Sequence, residues 1–179
     1  MPDELIDIYD KNNEPLGISK MKSEAHEKGL WHRAAHIWVY NSKGETLLQL
    51  RSKELEYYPD AWVAAASGHI GAGENIELAA TRELSEEIGI EIKPNELEFF
   101  KVIIRQTVWN KIINNEYYYV YLYKFDGDIT KLKLQEDEVQ RVKFFSIDKL
   151  NKELKIHPEN YLIDPVYWRK VSVEIKKRT

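Results

Sequence analysis

The sequence contains no cysteine among its 179 residues. That absence excludes disulfide bonds, thiolate catalysis and zinc sites with cysteine ligands. No apolar run approaches the roughly 18 residues that a helix needs to cross a bilayer, and the chain does not start like a signal peptide. We therefore expect a cytoplasmic protein that has no membrane partner.

An excess of positive charge is also missing, since 26 Lys and Arg residues face 30 Asp and Glu residues. A net charge of −4 gives no general attraction for nucleic acid, so we expect no nucleic-acid partner. An anionic substrate would have to be bound by local cations, either a metal ion or individual Lys and Arg side chains.

No Gly/Ser-rich or Pro-rich linker and no internal repeat divides the chain. We expect one domain over residues 1–179, with residues 1–33 as an N-terminal extension packed on it. Apolar patterning predicts strands near 5–9, 35–40, 46–50, 62–66, 97–108, 116–125 and 139–145, and helices near 75–88, 146–154 and 165–177. These elements predict an α+β fold with helices packed against a mixed sheet.

The helix predicted for residues 75–88 carries three glutamates on one edge. Glu83 lies three residues before Glu86 and four before Glu87, and both spacings place side chains on the same helical face. Three neighbouring carboxylates repel one another, but a bound divalent cation reverses that effect. Carboxylate oxygens suit Mg²⁺ or Mn²⁺, so the pattern predicts a metal site.

A loop with Gly68, Gly71 and Gly73 is predicted just before this helix, and its backbone could approach a ligand closely. Arg82 can pair with Glu86 at four residues' spacing or with Glu74 across the loop. A free carboxylate beside a metal could take a proton from an attacking water.

The simplest alternative for any two of these glutamates is a solvated helix face. The complete pattern is more specific, because it reads Gly68, five residues, Glu74, seven residues, then Arg82-Glu83-Leu84-Ser85-Glu86-Glu87-Ile88-Gly89-Ile90. This 23-residue stretch resembles the box of the Nudix hydrolases, and no position departs from it.

The resemblance implies an α/β/α sandwich around a mixed sheet and a Mg²⁺- or Mn²⁺-dependent enzyme that hydrolyses an organic diphosphate. It implies that Glu83, Glu86, Glu87 and Gly68 hold the metal. Arg82 and Glu74 would form an orienting pair. Family members differ in which glutamate acts as the base, and here we assign Glu83, with Glu86 and Arg82 as the other catalytic residues.

Family members often add a metal-binding carboxylate from outside the box. Glu116, at the start of a predicted strand, is our first candidate, and Glu136 and Glu138 are the alternatives. Each of them also fits an ordinary surface acid.

The flanks of the box contain Leu16-Gly17, His26, His32, Trp38, Trp62 and Ser67-Gly68-His69. This layout is similar to isopentenyl diphosphate isomerase, another enzyme with this fold. The resemblance places metal-binding histidines at His26, His32 and His69 and one metal-binding glutamate at Glu116. It places the other metal-binding glutamate at Asn114 and the catalytic cysteine at Ser67. Whether the three histidines bind a metal here, or are separate polar residues, stays open.

Three functions follow from these observations. The first is hydrolysis of a diphosphate linkage in a nucleoside diphosphate derivative or another organic diphosphate. Ser67 and Asn114 argue against the second, an isoprenoid diphosphate isomerase. The third is a non-catalytic nucleotide-binding protein, which the intact glutamates disfavour. The substrate stays open among ADP-ribose, dinucleotides, coenzyme A, nucleoside triphosphates and isoprenoid diphosphates. The resemblance to the family also suggests a homodimer.

Overall fold

The computed structural model describes residues 3–179. Its strands are β1 (Leu5–Tyr9), β2 (Pro15–Met21), β3 (Trp31–Tyr40), β4 (Glu45–Arg51), β5 (Trp62–Ala64), β6 (Ala66–His69), β7 (Glu98–Trp109), β8 (Ile112–Lys124) and β9 (Val139–Ser146). Its α-helices are α1 (Lys22–Lys28), α2 (Ile76–Ile88), α3 (Ile147–Ile156) and α4 (Pro165–Lys176). No helix in this range has both the length and the apolar content that a bilayer crossing requires.

Strand β3 lies at the centre of the sheet. It runs parallel to β8 over its whole length, and its other edge pairs antiparallel with β1, β6 and β4 in turn. Strand β4 continues the sheet through β5 and β9, while β7 pairs only with β8. The parallel pairing of β3 with β8 beside the antiparallel pairs makes this the mixed sheet that the sequence predicted.

Helices cover both faces of the sheet. Successive residues of β3 point to opposite faces, so they belong to two separate cores. Ile37 and Val39 belong to the core that includes Leu84 of α2. Trp38 and Tyr40 belong to the opposite core, which α3 and α4 complete. Layers in the order helix, sheet, helix confirm the predicted α/β/α sandwich.

Helix α2 has clear boundaries. Asn75 caps its start, since the Asn75 side chain accepts a hydrogen bond from the backbone N–H of Leu78 at 3.0 Å. Gly89 ends the helix in the left-handed conformation at φ 71°, and a β-carbon there would come within 2.8 Å of the backbone nitrogen of Lys133. The predicted span of 75–88 is therefore correct to within one residue.

Several predicted elements differ from the structure, among them β3, which starts at Trp31 rather than at residue 35. The strand predicted for 62–66 is interrupted at Ala65, where β5 ends and β6 begins. Gly68 lies in β6, paired with Ala35, rather than in a loop. Strand β8 starts at Ile112, four residues earlier than predicted, so Glu116 lies inside the strand rather than at its start.

The N-terminal residues form a hairpin and a short helix that the sequence did not predict beyond β1. Strands β1 and β2 pair antiparallel, and Ile6 and Ile8 pack with Ala25 of α1 and with Leu30. Bridges join Tyr9 to β3 and Ile6 to the loop at Gly71. The first two residues of the predicted extension lie outside the described range.

Candidate active site

Arg82 organises the start of the site. Its guanidinium donates to both carboxylate oxygens of Glu74, at 2.9 and 3.0 Å, and to Glu83 and Glu86, at 2.7 and 3.1 Å. Glu74 in turn accepts a hydrogen bond from the backbone N–H of Gly71 at 2.9 Å. Arg82 therefore makes both of the pairings foreseen from the sequence, and it ties the glycine loop to two carboxylates of α2.

Glu83 lies between α2 and β6. A β-carbon on Gly68 would overlap the Glu83 carboxylate, so only glycine leaves room for this side chain. Burial raises the pKa of Glu83 to about 7, because the contacts with Arg82 only partly offset the loss of hydration and the nearby negative charges of Glu86 and Glu4. A carboxyl group with this pKa can exchange protons near neutral pH.

Glu87 is the most deeply buried of the three glutamates, with 3% of its surface exposed. Its carboxylate accepts hydrogen bonds at 2.9 Å from the Ser67 backbone N–H and from the Gln49 side chain. Burial, and then the charge of Glu83, raise the pKa of Glu87 well above its usual value. Two buried carboxylates side by side are costly unless a cation compensates them, so this donor set fits a divalent metal ion.

The structure also brings His26, His32 and His69 together, from α1, β3 and β6. Their ring centroids lie 5.2 to 5.4 Å apart, and one nitrogen of each lies within 4.8 Å of the others. We call these three residues the histidine cluster. In the described part of the chain, the Nε2 atom of each is buried and has no hydrogen-bond partner. Three unpartnered imidazole nitrogens in one place are the donors that a transition metal uses.

Glu116 lies beside the histidine cluster, since it is opposite His32 in the parallel register of β3 and β8. One oxygen lies 3.6 Å from His32 Nε2 and 3.5 Å from His69 Nε2. Burial alone would raise the pKa of Glu116, but the neighbouring imidazoles of His32 and His69 outweigh it and lower the pKa to about 2. Asn114 donates to the other oxygen at 2.6 Å, and the buried Oδ1 of Asn114 has no partner within residues 3–179.

The α2 glutamates line one cleft of about 730 Å³ together with His26 and His69 of the histidine cluster, while His32 is fully buried. The lining includes ten Asp and Glu residues but four Lys and Arg residues. Glu138, one of the alternative carboxylates, also lines this cleft, whereas Glu136 is exposed outside it. A diphosphate would be repelled by such a lining unless metal ions reversed the local charge.

Arg51 is one of the four Lys and Arg side chains that line the cleft. Its guanidinium donates to the backbone carbonyls of Tyr57, at 2.7 and 3.1 Å, and Tyr58, at 3.1 Å, which hold it at the cleft wall.

One wall of the cleft is polar and aromatic, and we call it the inner wall. It is formed by His36, Arg105, Asn114, Tyr118 and Asp164. Sequence patterns did not indicate this wall. His36 stacks on Tyr118 with ring centroids 3.7 Å apart, and its buried Nδ1 has no partner in the described chain. Arg105 donates to Asp164 at 2.8 Å, and Asp164 also caps α4 by accepting from the Tyr167 N–H. These residues are far apart in sequence, so no local signal could have grouped them.

Comparison with known proteins identifies the family of this fold and site. Residues 30–165 match the sequence model of the NUDIX domain. The chain is 38% identical over 149 residues to Nudix hydrolase 3 of Arabidopsis thaliana, covering 80% of this chain but 19% of that longer protein. It is 32% identical over 161 residues to isopentenyl-diphosphate Delta-isomerase 2 of Photorhabdus laumondii, covering 90% and 88% of the two chains. A crystal structure from Deinococcus radiodurans superposes with a TM-score of 0.71 at 18% identity, over 94% and 98% of the chains.

Proposed function

The chain belongs to the NUDIX domain family, and we propose that it is a Mg²⁺- or Mn²⁺-dependent hydrolase that cuts the diphosphate linkage of an organic diphosphate. The observation that carries the proposal is the pair of buried carboxylates, Glu83 and Glu87, in a cleft whose lining is strongly negative. Such a cleft could hold a diphosphate only when divalent cations are bound. Phosphate substrates commonly bind to proteins together with such cations.

We propose that Glu83, Glu86, Glu87 and Gly68 hold this metal. When bound, it would supply positive charge for the phosphate oxygens and lower the pKa of a coordinated water. Glu83 is our candidate for the base, because its raised pKa of about 7 lets it take a proton from the attacking water at neutral pH. Arg82 orients Glu83 and Glu86 through its two short contacts.

The histidine cluster and Glu116 form the second metal site of the proposal. Its donors, three imidazole nitrogens and one carboxylate, suit a transition metal better than Mg²⁺. A second cation would further reduce the negative charge of the cleft. The first site, on α2, is the one to which we assign hydrolysis.

The group attached to the diphosphate is proposed to carry hydrogen-bonding atoms. The inner wall presents the Arg105–Asp164 ion pair and the unpartnered atoms of His36 and Asn114, which a hydrocarbon tail would leave without water or partners. A sugar or nucleoside portion could satisfy them. This proposal favours a nucleoside diphosphate derivative over an isoprenoid diphosphate.

An isomerase acting on isoprenoid diphosphates is the second candidate, and the assembled histidine cluster is the observation in its favour. The residue at the position of the catalytic thiol is Ser67, whose hydroxyl is far less acidic than a thiol. Asn114 replaces the other carboxylate of the isomerase pattern. Both residues favour the hydrolase.

We also propose that residues 1–179 act as one domain with residues 1–33 as an extension packed on it. The pairing of β1 with β3 and the contribution of His26 to the cluster support this arrangement within the described residues.

A substrate panel tests the proposed function directly. Nucleoside di- and triphosphates, ADP-ribose, a dinucleotide, coenzyme A and isopentenyl diphosphate would each be incubated with Mg²⁺ or Mn²⁺, and all products would be identified by mass spectrometry and ³¹P NMR. We expect cleavage of a phosphoanhydride bond and no double-bond migration. Migration without phosphate release would identify an isomerase, and binding without turnover a non-catalytic protein.

Glu87→Gln provides the matched test of the site. The amide keeps the shape of Glu87 and can still accept from the Ser67 N–H, so the fold should persist while metal-dependent cleavage falls by at least about 100-fold. Glu91→Gln, at an exposed position just beyond α2, should cleave like the wild type. Undiminished cleavage by Glu87→Gln would exclude the proposed metal site.

A further inference from the structure

Glu4, in the segment before β1, reaches across to the histidine cluster. One carboxylate oxygen lies 3.1 Å from His69 Nδ1 and 3.0 Å from Lys22 Nζ. The backbone carbonyl of Glu4 also accepts from the Lys22 N–H at 2.8 Å, which fixes the position of the segment. Glu4 thus connects the N-terminal residues to the imidazole ring of His69 in β6.

The contact determines which nitrogen of His69 can act as a ligand. A carboxylate only accepts hydrogen bonds, so Nδ1 of a neutral His69 must carry the proton when it contacts Glu4. The lone pair then lies on Nε2, which faces the other two histidines and has no partner in residues 3–179.

His32 shows the same arrangement with a different acceptor. Its Nδ1 lies 2.9 Å from the backbone carbonyl of Leu30, so Nδ1 carries the proton and Nε2 carries the lone pair. The cluster therefore has two rings whose outer nitrogens are held by acceptors and whose inner nitrogens converge. Only the acceptor of His69 is a side chain, which a substitution can remove.

We propose that Glu4 is a positioning residue for the histidine metal site: by accepting from His69 Nδ1, it keeps the ligand lone pair on His69 Nε2. The N-terminal segment is then part of the metal centre, because it supplies this carboxylate as well as His26. The inference rests on the second metal site of the proposed function. It does not involve the α2 glutamates, and Glu4 itself is not a ligand.

Charge and packing explain why Glu4 suits this role. Lys22 forms an ion pair with the same Glu4 oxygen that contacts His69 Nδ1. An ionised acceptor also increases the basicity of the ring that it holds. In other metal sites the loss of such an outer partner lowers metal affinity by about 10- to 100-fold.

Glu24, in α1, is a matched control for Glu4. Its carboxylate pairs with Lys20 and Lys28 at 3.1 and 2.8 Å, and its side chain is 31% exposed against 34% for Glu4. The two glutamates therefore have similar side-chain exposure and similar ion pairs, but within residues 3–179 the contacts of the Glu24 carboxylate are with Lys20 and Lys28 and not with the histidines. Replacing each of them by alanine separates the effect on the cluster from the loss of an ordinary surface ion pair.

The experiment is a Co²⁺ titration of chelator-treated protein, followed by visible absorption. We expect Glu4→Ala to weaken Co²⁺ binding by about 10- to 100-fold, Glu4→Gln to weaken it less because an amide oxygen still accepts, and Glu24→Ala to bind like the wild type. Lys22→Met, which removes the ion pair but leaves the contact with His69, should change affinity by less than about threefold.

The ¹⁵N chemical shifts of His69 provide a second reading that a purely structural role would not change. In metal-free wild type, the shifts should show a proton fixed on Nδ1, and in Glu4→Ala they should show both tautomers. Unchanged shifts and unchanged Co²⁺ affinity in Glu4→Ala would overturn the inference, as would an equal loss of affinity in Lys22→Met. Absence of Co²⁺ binding by the wild type would instead refute the second metal site itself.

Discussion

Replacing Glu83 by glutamine should stabilise the metal-free protein, although it should abolish catalysis. Glu83 has 12% of its side chain exposed, and its pKa is raised from 4.5 to about 7 by burial and neighbouring acids. At about 1.4 kcal/mol per pKa unit, the ionised form destabilises the folded state by about 3 kcal/mol. Glutamine has the same shape without the charge, so it fits beside Gly68 and removes this cost.

Because folding raises the pKa of Glu83, the destabilisation by this residue depends on pH. Below pH 4.5 both the folded and the unfolded chain keep the Glu83 proton, so the group has little effect on stability. Between pH 4.5 and 7 the unfolded chain releases the proton while the folded chain keeps it, and the free energy of unfolding therefore falls as the pH rises. Above pH 7 the full destabilisation is present.

The assay is guanidinium unfolding of wild type and Glu83→Gln in EDTA, near pH 5 and near pH 8. The stability difference between the two proteins should grow by about 2 kcal/mol from the lower to the higher pH, because only the wild type carries the titrating group. Comparing the two proteins at each pH cancels the titration of acids that do not interact with Glu83, whereas Glu87, whose pKa the charge of Glu83 raises, contributes to the same difference. Glu91→Gln, which is exposed, should track the wild type at both pH values within about 0.5 kcal/mol.

Adding Mg²⁺ near pH 8 should remove most of this difference. Metal that binds only the folded wild type raises its stability, by about 2.7 kcal/mol at a concentration 100 times the Kd, whereas Glu83→Gln should gain much less. If the wild type and Glu83→Gln instead lose stability in parallel between the two pH values, Glu83 does not carry the raised pKa, and the assignment of Glu83 as base loses its basis.

Three further predictions concern single residues. Gly68→Ala should lower metal-dependent turnover by at least about tenfold, measured as kcat, because the new methyl group would displace the Glu83 carboxylate. Arg105→Met should lower kcat/KM for a nucleoside diphosphate substrate more than for isopentenyl diphosphate, since it removes a hydrogen-bond donor from the inner wall. Gly89→Ala should reduce the free energy of unfolding by about 1–3 kcal/mol in a denaturant titration, because φ is 71° there and the β-carbon would meet the Lys133 backbone.

Local patterns predicted those parts of the molecule whose causes are local. Helix α2 has a capping Asn75, apolar residues at helical spacing and a terminal Gly89, so its span could be predicted to within one residue. Helix α1 was not predicted, because it has seven residues, one buried side chain and no side-chain cap. A short helix of this kind owes its stability to the residues it packs against, which a single sequence does not reveal.

The composition of the candidate site was harder to predict because it depends on strand register. Glu116 was proposed both as an extra carboxylate for the box and as a partner of the three histidines, and the parallel register of β3 and β8 places it opposite His32. Glu4 and His69 are 65 positions apart, and Arg105 and Asp164 are 59 apart. Such contacts arise only after the sheet has formed, so spacing within the sequence does not indicate them.

Strand β6 explains how two sets of metal ligands can serve one cleft. Its residues alternate in direction, so Ser67 and His69 face the cleft side of the sheet beside His36 and Ala34, while position 68 faces α2. The Ser67 backbone holds Glu87, the missing side chain of Gly68 admits Glu83, and His69 carries a donor of the histidine cluster. Three consecutive residues therefore fix the α2 carboxylates and the histidines relative to each other. A ligand that moved β6 would alter both sets of donors at once, so the two proposed metal sites should not be independent of each other.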